Sequence, residues 1–221
     1  MMHDISYKTV RSNRKSVALV IDNEANLIVR APFQMDDSAI DEFVWTKKRW
    51  INEKRSQVSA FSEKYSPVVV DSGEPLMYLG DNYTIMKSEV SVAFISGHEL
   101  IIPNEFDLDE LIHWLKNEAF RIISERVARY STMMGVTHGN IRLSDAKGRW
   151  GSCGAMNTLN FAWRLIMCPL SAIDYVVVHE LSHITYKNHS PSFWARVKTV
   201  LPAYEEDQEW LRINKRLMEV I

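Results

Sequence analysis

Cysteine is scarce in this chain of 221 residues. It has two, Cys153 and Cys168, too few for a disulfide framework and not spaced as C-x-x-C, so free thiols in a reducing compartment are expected. Charge of one sign is not in excess either: 26 Lys and Arg face 28 Asp and Glu, for a net charge of -2. That balance excludes a strong global attraction to nucleic acid or acidic membranes, and any such binding would need a local patch. Long apolar runs are also missing. The opening MMHDISYKTVRSNRK holds no signal-peptide core, and no later segment approaches the roughly 18 uninterrupted apolar residues of a membrane span. A soluble cytoplasmic protein without a membrane partner is therefore expected. Internal repeats, low-complexity tracts and long linkers are absent as well.

The hydrophobic share, 46%, can fill a sizeable core in one large domain or two small ones. Short β-branched runs, KTV, SVALVID and NLIVRAPF, alternate with turn-prone SNRK and DNEAN and predict a small meander. From about Asp36 a helical pattern carries Ile40, Phe43, Val44, Trp50 and Ile51, with Asp36 or Asp37 as its cap. Further strands are predicted in EPLMYLG, NYTIMKS, VSVAFISG and ELIIP, ending at Pro103. Beyond it, FDLDELIHWLKNEAFRIISERVARYSTMMG repeats apolar residues at helical spacing up to Gly135, a natural stop. Two strand-like pieces, NIRLSDAKGRWGSC and TLNFAWRLI, joined at Gly154 to Asn157, then lead into AIDYVVVHELSHITY. Pro169 fits the first position of that helix, with Ser171 as an alternative cap and Asp174 three residues later. The expected class is α+β, with a β-rich part over 1–103 that includes one helix and a helix-rich core over 104–221, forming two bodies or one.

The chemistry sits in His179-Glu180-Leu181-Ser182-His183. Four residues apart on a helix, the two imidazoles stand about 40° apart in angle and roughly 6 Å in rise, so both reach one ion. Ile173, Val177, Leu181 and Ile184 form a separate apolar face on which that helix can pack. Lys187-Asn188-His189-Ser190-Pro191 is turn-forming, so the helix should end and bring His189 back as a third ligand. Zinc accepts three imidazoles and leaves its fourth position to water. The expectation is one Zn2+ per protomer, with Ni, Co and Fe suited to the same ligands. Glu180, beside that water, would be the general base. An H-E-x-x-H match arises by chance on the order of once in a hundred chains this long, and core histidines are the bland alternative. The helical setting and the third histidine weigh against it. Arg149, Arg164, Tyr186 and Asn188 are candidates for substrate or oxyanion contacts.

The blocks RWGSC at 149–153, LNFAWRLI at 159–166, YVVVHELSH at 175–183 and NHSPSFW at 188–194 resemble the YgjP-like metallopeptidase family, more distantly SprT-like proteins. SNRKSVALVIDNEANLIVRAP and KKRWINEKR resemble that family's leading segment. The resemblance implies His179, His183 and His189 as ligands and Glu180 as the catalytic carboxylate. It also implies a minimal zincin-like core in which RWGSC lies in a short sheet beside the HExxH helix. Family members are described as metal-dependent hydrolases, and one has been assigned UTP pyrophosphatase activity.

Three functions follow: a zinc metallopeptidase, a nucleotide (UTP) pyrophosphohydrolase, and a DNA-associated SprT-like protease. The last would need Lys47, Lys48, Arg49, Lys54 and Arg55 to form a patch, where a solvated helix face is the ordinary reading. A peptide or a nucleotide is thus the expected substrate, and nucleic acid is not an expected partner. Cys153 could be a fourth ligand or a redox-sensitive thiol, but a small residue at a tight turn is the favoured reading. Trp150, Trp163 and Trp194 are cleft or core candidates, with core favoured. His3, His98, His113 and His138 show no ligand spacing.

Overall fold

Every second residue of Leu27–Pro32 is buried, the pattern of a strand with one face on a core, and this strand (β3) centres the first sheet. The computed structural model describes residues 5–22, 24–64 and 68–221, with backbone alone over 61–64. Strand β1 (Tyr7–Ser12) pairs with β3 in parallel and β2 (Ala18–Ile21) pairs with it antiparallel, in the order β1-β3-β2. The predicted meander is therefore wrong, because β3 lies between the other two. The parallel register lets Arg11 donate to the carbonyls of Pro32 and Met35 and pair with Asp37 at the start of the next helix. The helical stretch is two helices, α1 (Asp37–Thr46) and α2 (Lys48–Lys64), separated where the Lys47 N–H turns to the carbonyl of Val44. Asp36 is the N-cap by position, though its side chain makes no capping bond. Ile40, Val44 and Ile51 bury against Leu27, Val29 and Ala31.

The chain divides into two compact units, residues 1–66 and 67–221. The boundary expected at Pro103 falls inside the second unit. There β4 (Pro75–Tyr78), β5 (Asp81–Ser88), β6 (Phe94–Ser96) and β7 (Glu99–Pro103) form a sheet in the order β4-β5-β7-β6. It is tied to later residues by the N–H groups of Leu79 and Gly80, which donate to the carbonyls of Ile166 and Met167, and by the Tyr78 hydroxyl, which donates to Glu118.

Helix α3 (Leu108–Met134) opens with a reciprocal capping box between Asp107 and Glu110 and stops at Gly135, whose φ of 62° is left-handed, as expected. Its buried stripe includes Leu111, Leu115, Ile123 and Val127, and the helix packs on residues 163–167 and on α4 (Leu170–Thr185). Pro169 stands one position before α4 as its N-cap. Asp174 is no capping residue: it is buried and accepts from Nε and Nη2 of Arg126 and from the hydroxyl of Tyr130.

The third sheet has β10 (Leu159–Ala162) between β8 (Ile141–Ser144) and β9 (Gly151–Cys153), which makes β9 an edge. The expected long strand through Leu165 and Ile166 ends at Ala162, because Trp163–Met167 turns into a wholly buried 3-10 helix. Helices α5 (Pro191–Val200) and α6 (Tyr204–Ile213) complete the second unit. No helix among the described residues is long and apolar enough to cross a membrane. The α+β class and the short sheet beside the HExxH helix are as expected from sequence.

Candidate active site

Helix α4 carries the site because its two faces differ. Ile173, Val177 and Leu181 are fully buried on one face, while His179 and His183 are only half-buried and so reach an open space. After Tyr186 caps the helix, three residues turn the chain before Ser190 and Pro191 start α5, with the Phe193 N–H donating to the Ser190 hydroxyl. That turn returns His189 to α4.

One imidazole nitrogen from each of His179, His183 and His189 lies within 4.8 Å of the other two, and the Nε2 atoms of His179 and His189 are 3.0 Å apart. His183 Nδ1 lies 2.9 Å from the carbonyl oxygen of Tyr186. A carbonyl only accepts, so Nδ1 carries the proton and Nε2 keeps its lone pair for a metal. Burial, with the charges of His183 and His189, pushes the His179 pKa down to about 3. Burial and His183 lower that of His189 as well. Neutral rings with convergent lone pairs suit a divalent ion.

Glu180, one residue along, is 6% exposed. Burial raises its pKa to about 7, against the lowering effects of the Cys153 N–H, which donates to its carboxylate, and of the Arg149 charge. Edge strand β9 runs directly beside it: a Cβ on Gly151 would lie 2.8 Å from Glu180 Oε1 and 2.9 Å from its Cγ. The RWGSC block thus meets the HExxH helix at Gly151.

The other predicted contacts separate. Arg149 is exposed and acts on Glu180 through its charge, Tyr186 fixes His183 through its carbonyl, and Asn188 sits in the exposed turn beside His189. Arg164 does not fit an oxyanion role. It is buried, donates twice to the carbonyl of Ile221 and lies over the Trp163 ring. Cys153 is not part of the histidine group, and burial raises its thiol pKa. Trp163 is core at 1% exposure, whereas Trp150 borders open space beside Glu180 and Trp194 stacks on His189 at 5.6 Å. His98 packs on Tyr83 and His138 bonds the Gly139 carbonyl, while His3 lies outside the described residues.

Some supporting groups were not read from sequence. Tyr175 places its hydroxyl 3.5 Å from His179 Nδ1 and accepts from Gln208. Its ring stacks on Tyr204, which stacks on Trp194. The i, i+4 spacing of Tyr175 and His179 was the available signal; Tyr204 and Gln208 come from α6, and no local pattern links them to the motif.

A search of curated proteins gives no match. Among solved structures, the chain is similar to the metallopeptidase zymogen jannalysin of Methanocaldococcus jannaschii, at 22% identity and a TM-score of 0.38, over 43% of this chain and 96% of the other. The YgjP-like metallopeptidase domain profile matches residues 15–214. With nine-tenths of its length covered by that match, the chain belongs to the YgjP-like metallopeptidase family.

Proposed function

We propose that this chain is a zinc-dependent peptidase in which His179, His183 and His189 hold the ion and Glu180 is the general base. The observation that carries the reading is the convergence of three imidazoles within 4.8 Å beside a buried carboxylate on the same helix. Three imidazoles with a free position describe a catalytic rather than a structural zinc site, which would be closed by four ligands.

When bound, the ion would supply Lewis acidity toward a carbonyl oxygen and make water a better nucleophile. Glu180 takes one proton from the attacking water and returns it to the leaving amide nitrogen as the C–N bond breaks. One water is thereby added across the peptide bond. The Cys153 N–H holds the carboxylate for both transfers. Tyr186 and Tyr175 orient His183 and His179 from behind.

A peptide is favoured as substrate by the edge strand. The Trp150 carbonyl accepts from Ala162 and the Gly154 N–H donates to Thr158, so these groups of β9 face β10. The main-chain groups of Gly151 and Cys153, alternating with them, point away from β10. An extended peptide can add to that edge through the main-chain groups of Gly151 and the Cys153 carbonyl, the Cys153 N–H being taken by Glu180. A DNA-tethered role draws no support from α2, where Arg55 donates to the carbonyls of Ser6 and Ala25, Arg49 pairs with Glu53 and Lys48 lies over Trp45.

The test is to incubate the zinc-loaded protein with an unstructured peptide mixture and, separately, with nucleoside triphosphates. New peptide termini at defined bonds are expected. Release of pyrophosphate from the nucleotides with the peptides intact would overturn the reading.

A further inference from the structure

A cavity of about 340 Å³ opens directly off the site. His179, Glu180 and Gly151 are among its lining residues, so whatever fills it is held beside the reacting bond. Its walls come from Trp150, Tyr175, Val176 and Leu211, apolar or aromatic, with the amide of Gln208 among them, and Arg212 and Lys215 border it. Arg212 is paired with Glu209, whereas among the described residues no carboxylate pairs with Lys215.

We propose that this cavity is the specificity pocket of the enzyme: it takes a single large apolar side chain, aromatic or long aliphatic, from the residue next to the scissile bond, and it rejects a basic one. The proposal rests on the peptidase reading above. The volume stands at the low end of small-ligand sites, roughly 300–1,000 Å³, which suits one side chain. The apolar walls stabilise a buried ring or branched chain in proportion to the area they remove from water. A lysine there would lose hydration and meet Lys215, with no free carboxylate other than the general base itself. Because Glu180 lines the cavity, filling it also fixes the register of the peptide along β9. Cleavage should therefore fall at one constant position relative to the anchoring residue.

The test uses glycine–serine peptides that carry one Phe, one Ala or one Lys, so that a single residue can occupy the cavity. Binding is measured on the zinc-loaded Glu180→Gln protein and cleavage on the unmutated one. The Phe peptide should bind at least about 10-fold tighter than the Ala peptide, the scale on which an apolar pocket discriminates, and be cut at one bond adjacent to Phe. Trp150→Ala should abolish most of that preference with metal content retained. Lys215→Glu, at an exposed position, should raise the Lys-to-Phe ratio and gives a second reading if Trp150→Ala does not fold. Equal binding of all three peptides, or a preference unchanged in Trp150→Ala and Lys215→Glu, would overturn the pocket while cleavage still upheld the peptidase. Selective binding without cleavage would uphold the pocket and overturn the peptidase. Neither binding nor cleavage would overturn both.

Discussion

Gly151 touches Glu180: an added Cβ would stand 2.8 Å from the carboxylate oxygen Oε1 and 3.1 Å from Cδ, closer than atoms of those kinds pack. Two residues on, the Cys153 N–H donates to the same carboxylate. The edge strand therefore both leaves room for the Glu180 carboxylate and fixes it.

Gly151→Ala should displace Glu180 without touching the metal ligands. Overpacking of this kind costs about 1–3 kcal/mol of stability, and misplacing a reacting group by an ångström can cost about 100-fold in rate. We expect zinc content to be unchanged and kcat to fall by about 10- to 100-fold. Steady-state kinetics with elemental analysis checks this, and an unaltered kcat would show that the contact does not position Glu180.

His183→Ala and His189→Ala should each weaken zinc binding by more than the roughly 10- to 100-fold typical of losing an outer-shell partner, because a direct ligand is removed. Competition with a chromophoric chelator measures this. Retention of zinc at the unmutated affinity in His189→Ala would remove the third ligand from the account.

Arg126 and Asp174 join α3 to α4, each side chain 11% exposed and bonded through two N–H groups. Asp174→Ala leaves a buried guanidinium unpaired, so a loss of about 3–5 kcal/mol is expected. Urea unfolding reads the change directly; a loss below about 1 kcal/mol would mean water replaces the carboxylate.

Glu118 accepts from Arg121 and from the Tyr78 hydroxyl, and the Arg121 bond holds its pKa below the usual 4.5. A carboxylate with a lowered folded pKa contributes stability that is present above pH 4.5 and is lost as pH falls through the lowered value. Glu118→Gln should therefore be less stable at neutral pH and show a shallower acid limb below about pH 4.5. Thermal melts across pH test it, and parallel acid limbs for the two proteins would contradict it.

The metal constellation was legible because it is local: the helix period brings His179 and His183 to one side, and Ser190 with Pro191 marks where the chain turns back at His189. The length of α3 was legible for a similar reason, with Asp107 and Gly135 at its ends. Strand order was not, since β3 pairs with β1 across some twenty residues and no periodicity encodes that choice. Nor was the fate of Arg164, whose partner Ile221 is 57 positions away, or the cavity wall that α6 supplies through Leu211. Spacing along one helix brought the histidines together, whereas contacts between distant positions left no local pattern.

Glu180→Gln tests the central claim most directly, because it keeps size and hydrogen-bonding capacity but cannot take the water proton. With zinc loading and folding checked on the same sample, peptide hydrolysis should fall by about 100- to 10,000-fold, the range of a general base, while zinc stays bound by the three histidines. Hydrolysis near the unmutated rate in a zinc-loaded Glu180→Gln protein would contradict the assignment of Glu180.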